Sequence, residues 1–458
     1  MSIPRANSNV PLRLFACAGP PFIKPVPASQ LAKVFRPLSC TGHQGPAIVW
    51  HPCLKPLRIL LLTFTYPPNK DGVAEASRSM AEELVQRGHE VVVGTTFLPQ
   101  RTMPCVLNGV EVRHFDVCRS SKSVHRFHGE VEAFQKFVRD FVGDLIVSHS
   151  WDCWPTDLAR GEFATKKEKK VLVSHGFSTQ IVPWHRKFPW GLGYWLRWQP
   201  YVWSLPWMMR AYDHVTFLSG MANFGRFFDH LVARWTGFDR YSIIPNSATV
   251  PAEVARGKFR AKYGLEEHVV FLCVANYSER KNQELALRAF RGACIKNAAL
   301  IFIGSEFNDY SKKLQELEVR LSEENRDGIV LTLQGISRAE TAEAFQDCDV
   351  FVLPAKEETQ PIVLLEAMAF AKPFISTDTG CVRELPGGRV VPAEREFRKA
   401  MIQLASDAVD RRELGEAGQA AFRARYTPER VAGAYEALFA SLLAGQELSS
   451  PSPSPAAK

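Results

Sequence analysis

Eleven short apolar runs, each of four to seven residues, set the main constraint on what this chain can fold into. Six fall in the first half: LRILLLT (57–63), EVVVGT (90–95), DLIVS (144–148), VLVS (171–174), VTFLS (215–219) and YSIIP (241–245). Runs this short are strands buried on both faces, and helical or loop segments lie between them, as parallel pairing requires. After the first run, the turn-forming PPNKDG leads into a helix with Val73, Ala76, Met80 and Leu84 on one face and a stop at Gly88. The cadence restarts with VVFLCVA (269–275), ALIFIG (299–304), GIVLTL (328–333), DVFVLP (349–354) and PFISTD (373–378), with helical stretches such as 282–296 and 338–347 between them. Two successive doubly wound α/β domains, joined near 246–256, are the simplest account. Ligands of such sheets bind beyond the carboxyl ends of the strands, so the active site is expected in a cleft between the domains.

With 458 residues, 46% of them hydrophobic, the chain can bury two or three ordinary cores, which excludes a hormone, a disulfide mini-protein or a disordered scaffold. The net charge of +8 is misleading as a guide to partners. The first acidic residue is Asp71, and Arg5, Arg13, Lys24, Lys33, Arg36 and Lys55 supply six of the eight surplus charges. Basicity thus belongs mainly to the N-terminal segment, and nucleic acid is not expected as a partner. Residues 1–55 carry nine prolines and no periodicity, which reads as a disordered basic extension, either a transit peptide or sequence upstream of a chain beginning near Leu54. Residues 447–458, ending SSPSPSPAAK, read as a disordered tail. Ten scattered cysteines without a C-x-x-C pair fit reduced thiols and no structural metal. No apolar run is long enough to span a bilayer, so a cytoplasmic location is expected.

The segment AKEETQPIVLLEAMAFAKPFISTDTG (355–380) is the most informative. Glu358 and Glu366 stand eight apart, with Pro361 at a helix start between them. A helix beginning there turns the free N–H groups of Ile362 and Val363, and its positive dipole end, towards the cleft, which suits a diphosphate. Glu358 just before the helix and Glu366 within it can then touch two parts of one extended anion. In CVANYSERKNQELALRAF (273–290) a strand, a polar loop and a helix follow one another, so Lys281 can place an ammonium against a leaving diphosphate.

The 355–380 stretch resembles the E-x7-E signature of retaining GT-B glycosyltransferases of family four, the group 1 glycosyl transferases. Thr359-Gln360 stand where that family has Gly-Phe, and Gly380-Cys381 where it has Gly-Gly. The resemblance implies that Glu358 meets the donor sugar and Glu366 the ribose hydroxyls. It also implies that Lys281 contacts the diphosphate, with Asn276 in the place of the family's Arg and Arg280 as a substitute cation. TFTYPPNKDGVAEASRSMAEELVQRGHEV (63–91) is similar to the family's opening loop, where Gly72 permits close approach to the donor and Val73 replaces a second Gly. The family often has a His near the transferred sugar, a role that maps onto His149, with His175 a second candidate. IIPNSATV (243–250) resembles the interdomain joint, with Ser247 and Thr249 replacing Gly and Asp. Asp347-Cys348-Asp349 matches a metal-binding D-x-D but leads straight into a strand, so no metal site is expected. No G-x-G-x-x-G follows the first strand, which argues against a nicotinamide enzyme.

These features lead to an expected division into a Rossmann-like acceptor domain (56–246) and a Rossmann-like donor domain with C-terminal helices (247–446). The expected activity is metal-independent hexosyl transfer, with retention, from a nucleoside diphosphate sugar to a hydroxyl, without a cofactor, in cell-surface polysaccharide or glycolipid synthesis. A nucleotide-sugar epimerase of the same architecture, or a silent carbohydrate-binding protein, are the alternatives. Residues 169–212 contain no Asp or Glu yet hold six of the ten tryptophans, Trp184, Trp190, Trp195, Trp198, Trp203 and Trp207, among Arg186, Lys187, Arg197 and Arg210, with four prolines expected to break the segment into short pieces. Indole and cation together suit a peripheral membrane contact through 181–210 at the inner face, with a lipid-linked acceptor. The alternative is that these tryptophans fill the core or line a soluble sugar groove, since Trp195 and Trp198 have helical core spacing.

Overall fold

The computed structural model describes residues 55–99, 105–120, 123–177, 190–222, 227–324 and 327–446. The expected extension (apart from Lys55), the tail, and residues 181–189 with Trp184, Arg186 and Lys187 lie outside them.

The first sheet has eight strands: β1 (Arg58–Leu62), β2 (Glu90–Thr96), β3 (Cys105–Leu107), β4 (Val110–Phe115) and, after the small β5 (Val117–Arg119) and β6 (Phe127–Gly129) hairpin, β7 (Leu145–His149), β8 (Lys169–Ser174), β9 (His214–Phe217) and β10 (Tyr241–Ile243). Their spatial order is β10-β9-β8-β7-β1-β2-β4-β3, and every pair is parallel except β3 with β4. Helices α1 (Gly72–Gln86), α2 (Val131–Asp140), α3 (Trp154–Glu162), α4 (Trp190–Arg210) and α5 (Phe228–Trp235) connect them. The second sheet comprises β11 (Val269–Val274), β12 (Ala298–Gly304), β13 (Ile329–Gln334), β14 (Val350–Leu353), β15 (Phe374–Thr377) and β16 (Gly388–Val391), ordered β13-β12-β11-β14-β15-β16 and wholly parallel. Helices α6 (Lys258–Tyr263), α7 (Gln283–Ala293), α8 (Asp309–Glu324), α9 (Arg338–Asp347), α10 (Ile362–Ala369), α11 (Glu394–Ser406), α12 (Ala408–Arg425) and α13 (Pro428–Leu443) complete this half.

All eleven apolar runs are strands, and their uninterrupted hydrophobicity has a plain cause. Along β1, Ile59 and Leu61 enter one core while Leu60 and Leu62 enter the core on the other face, all four fully buried. Both sheets change winding direction next to their first strand, between β1 and β7 and between β11 and β14. That is the position where the following loops splay apart and leave a crevice. The last helix does not stay with the second sheet: Val431, Tyr435, Leu438 and Phe439 of α13 join the core that holds Ile59, Leu61 and Val93.

One expectation about local structure is corrected. The prolines do not break 190–210 into pieces; α4 is one helix of 21 residues with Pro200 and Pro206 inside it. An interior proline costs ~3 kcal/mol. The helix buries Trp198, Tyr201, Val202, Leu205, Met208 and Met209, each worth roughly 1.5–3 kcal/mol, so packing outweighs the two interruptions. Among the described residues no helix is long and apolar enough to cross a membrane.

Candidate active site

The four loops at the two switch points, after β1, β7, β11 and β14, all border one cavity of about 1100 Å³. On the second-sheet side, the turn 276–282 is buttressed from below: Lys356 N–H donates to the Arg280 carbonyl at 2.8 Å and Asn282 Nδ2 to that of Pro354 at 3.1 Å. Buried Gln283 anchors the start of α7 by donating to the carbonyls of Ala275 and Asn276. Lys281 is thereby aimed at the loop after β14, where its Nζ donates to Glu358 Oε1.

That neighbouring loop is held by its own contacts. Glu358 N–H donates to Thr379 Oγ1 at 2.8 Å, and Cys381 N–H to the Thr359 carbonyl at 2.8 Å. Gly380 has φ +50°, and a Cβ there would stand 2.0 Å from the Thr359 oxygen, so the close approach admits only glycine. Gln360, at the position where the resemblance led one to look for Phe, is buried and accepts from Asn246 N–H at 2.6 Å, tying the loop to the joint between the sheets. Helix α10 then starts with no side-chain cap on its first turn, and Pro361, Ile362 and Val363 border the cavity. Uncapped N–H groups with the dipole behind them form an anion-binding end.

One turn further, Glu366 is 5% exposed and its carboxyl is pushed up to about 7, chiefly by burial and against the pull of Arg338. Arg338 Nη2 lies 2.6 Å from Glu366 Oε1. A lone arginine carried no signal in the sequence, but the Ser337 hydroxyl accepting from Glu340 N–H fixes α9 so that its first residue is Arg338.

From the first-sheet side, Asp71 caps α1 by accepting from Val73 and Ala74 N–H, both at 3.0 Å, which presents Gly72 to the cavity. A Cβ at Gly72 would meet nothing within 4 Å, so any need for glycine there comes from a ligand and not from the protein. The loop after β7 is strained, with positive φ at Ser150 and Asp152, and both residues border the cavity. Asp152 is pushed up to about 7 by burial and by the charge of Asp157; nothing in the sequence pattern had singled it out. Behind it, Trp151 Nε1 donates to buried Asp229 at 2.9 Å.

Eight of the nine residues anticipated for the site, Glu358, Lys281, Glu366, Asn276, Arg280, Gly72, Ile362 and Val363, border the cavity together. His149 does not. Its ring is 1% exposed, its Nδ1 lies 3.1 Å from His175 Nε2, and its Nε2 has no hydrogen-bond partner among the described residues. The imidazole that borders the cavity is His175, one strand over. Burial lowers both rings, His175 to about 4 and His149 well below its ordinary value with the neighbouring imidazole adding to the effect, so both are neutral at pH 7.

The Asp347–Asp349 pair is occupied structurally. Asp347 accepts from the N–H groups of Gly257 and Phe259 at the start of α6, and Asp349 meets Arg260 Nη2 at 2.6 Å. Ser247 and Thr249 are likewise used by the fold, since both face Ser79 of α1, the Ser247 hydroxyl at 2.8 Å.

Two family models match the chain: the glycosyl transferase 4-like domain over residues 71–247 and glycosyl transferases group 1 over residues 255–421. Among curated proteins none matches significantly by sequence. Solved structures match in fold at low identity. Sucrose-phosphate synthase from Thermosynechococcus elongatus is 17% identical with a TM-score of 0.69, covering 85% of this chain and 100% of its own. Anabaena HepE in complex with UDP and glucose is 17% identical with a TM-score of 0.61, covering 84% and 100%. WaaG, a glycosyltransferase involved in lipopolysaccharide biosynthesis, is 17% identical with a TM-score of 0.57, covering 82% and 98%. Two consecutive family matches over the two sheets, on the fold these structures share, make this chain a member of the GT-B glycosyltransferases of the group 1 glycosyl transferase family.

Proposed function

We propose that the protein transfers a hexosyl group, with retention of anomeric configuration, from a nucleoside diphosphate sugar to a hydroxyl. The observation that carries this reading is the convergence of Lys281, Glu358, Glu366 and the uncapped start of α10 on one wall of a single cavity. Lys281 and the N–H groups of Ile362 and Val363 would hold the diphosphate, with Arg280 and Asn276 beside it. Glu366 would accept from the ribose hydroxyls and Glu358 would orient the sugar. Lys281 is paired with Glu358; a diphosphate placed there would draw the ammonium onto itself and leave Glu358 to accept from a sugar hydroxyl.

The chemistry needs no protein nucleophile. The bond between the anomeric carbon and the leaving phosphate oxygen breaks, the acceptor oxygen joins the same face of that carbon, and the acceptor proton passes to the departing phosphate oxygen. The protein contributes position and charge, with Lys281 meeting the negative charge that grows on the diphosphate. His149 would act through His175, which borders the cavity, on the sugar or acceptor side. We assign the acceptor to the 56–246 half and the donor to the 247–446 half, and no metal or cofactor to either. HepE was solved with UDP-glucose and WaaG is described as acting in lipopolysaccharide biosynthesis, which supports a nucleotide sugar as donor and cell-surface glycolipid or polysaccharide as product. A lipid-linked acceptor met at the inner face of a membrane from the cytoplasm fits that reading. A panel of nucleotide sugars scored for nucleotide release, with and without an acceptor, tests it. Release that never depends on acceptor would point to an epimerase, and no release from any donor would sink the transferase.

A further inference from the structure

Helix α4 is apolar on two opposite sides, and only one of them is used by the fold. At about 100° per residue, the buried Trp198, Tyr201, Val202, Leu205, Met208 and Met209 occupy one arc of roughly 120°. Diametrically opposite lie Leu192, Leu196, Trp203 and Trp207, spaced by four, seven and four residues, within roughly 60° of one another. They are 46%, 55%, 71% and 70% exposed. A tryptophan this exposed is unusual, because its large apolar surface favours removal from water. Two on one line with two leucines make a stripe about 22 Å long at 1.5 Å per residue.

Charge selects the occupant. Arg210 continues the same line at the end of the helix and is exposed, and Arg240, also exposed, donates through Nη2 to the Arg210 carbonyl. Arg197 is exposed but borders the buried arc, its Nη2 donating to the Ser120 carbonyl at 3.0 Å; no Asp or Glu occurs anywhere from 169 to 212. Within α4 the line carries indoles and a cation but no acid, which fits a surface that is apolar within and anionic at its edge; the exposed Asp239 beside Arg240 lies off the helix. The line is poorly suited to a second copy of itself, which would set cation against cation. We infer that the outer face of α4, through Leu192, Leu196, Trp203 and Trp207 with Arg210 and Arg240, lies in the headgroup region of an anionic lipid bilayer. The inner face of the same helix reaches the site: the Tyr201 hydroxyl donates to Asp157 Oδ1 at 2.8 Å and accepts from Asp152 N–H at 2.6 Å, supporting the strained loop that borders the cavity. One helix thus joins the bilayer to the acceptor side of the cleft. The inference rests on the proposed transfer to a lipid-linked hydroxyl for its purpose, though not for the binding itself.

The test is co-sedimentation of the full chain with vesicles of phosphatidylcholine containing phosphatidylglycerol, and with phosphatidylcholine alone, at low salt. The double variant Trp203→Gln/Trp207→Gln is run beside the wild type. Because both side chains are exposed, the variant should keep its circular dichroism and its vesicle-free nucleotide release. Binding to the anionic vesicles is expected to fall about tenfold or more in the double variant, and to weaken with salt and in Arg210→Gln/Arg240→Gln. Wild-type binding that is absent or indifferent to both double variants overturns the inference, as does a stable dimer in solution that the tryptophan variant abolishes. Those results leave the transferase reading standing. Loss of nucleotide release with vesicle binding intact would refute the transferase and leave the lipid surface.

Discussion

Arg338 Nη2 lies 2.6 Å from Glu366 Oε1 and 3.5 Å from Glu75 Oε1. One guanidinium therefore holds a carboxylate from each wall of the cleft, and the buried Glu366 keeps its ionised form accessible near neutrality because of it. Removing the cation by Arg338→Ala should push Glu366 further above 7. The expected outcome is a donor KM raised about tenfold at neutral pH, the size of one charge-assisted hydrogen bond, and recovering towards alkaline pH. Donor KM followed against pH in wild type and variant checks this; parallel profiles would show that Arg338 does not act through Glu366.

Lys281→Ala should lower kcat by about two to three powers of ten with a smaller change in donor KM, as removal of one preorganised charge from a developing anion does elsewhere. Glu366→Ala should do the reverse and act mainly on donor affinity. Steady-state kinetics with a verified donor separates the two, and near-normal activity in both would refute the assignment of the site.

The neutral His149–His175 pair predicts acid lability. An imidazole whose value is near 4 in the folded chain binds fewer protons than the same group at about 6.5 unfolded. Its contribution to stability is full above about pH 6.5 and is lost as the pH falls towards 4, by up to about 3 kcal/mol. His175→Asn should flatten this part of the stability profile, read from urea midpoints between neutral and mildly acid pH. An unchanged slope would mean that the ring is not buried neutral.

Gly380→Ala should disturb the donor loop, because the new methyl meets the Thr359 carbonyl at 2.0 Å on a backbone of positive φ. Strain of about 1–3 kcal/mol is expected, with the larger effect on donor binding, since Thr359 sits between Glu358 and the start of α10. Thermal melts with and without nucleotide give both numbers.

Activity should survive a chelator. The Asp347 and Asp349 carboxylates already serve α6 and Arg260, and the proposed charge stabilisation comes from Lys281 and α10. Loss of turnover in EDTA, restored by manganese, would contradict this.

The strands were legible wherever burial on both faces makes a strand apolar throughout, as in β1, β11 and β12. It failed where that condition lapses. In β4 buried Val110, Val112 and His114 alternate with more exposed neighbours, and β16 is short and half-buried along its length. The cavity residues of the second-sheet side were legible because they occupy the loop-to-helix turns after β11 and β14 in recognisable motifs. Arg338 and Asp152 were not, since each reaches the cavity from a different loop and neither belongs to a periodic pattern. The tryptophan-rich segment announced its composition but not its orientation: Trp198 proved to be core, while Trp203 and Trp207 face outwards.

The chain passes between the two sheets twice, once through Asn246–Thr249 and once on returning from α12 into α13. The two passages touch, with Ala248 N–H donating to the Tyr426 carbonyl at 3.1 Å. Two strands of covalent chain fastened side by side act as one pivot, so relative motion of the halves is a swing about that spot, and displacement grows with distance from it. Gln360, bonded to Asn246 beside the pivot, would scarcely move. The same fastening means that neither half is a separable module. A protein cut after residue 246 would strip from the first sheet the α13 side chains Val431, Tyr435, Leu438 and Phe439 that share its core, so the halves are expected to recover activity only when they are expressed together.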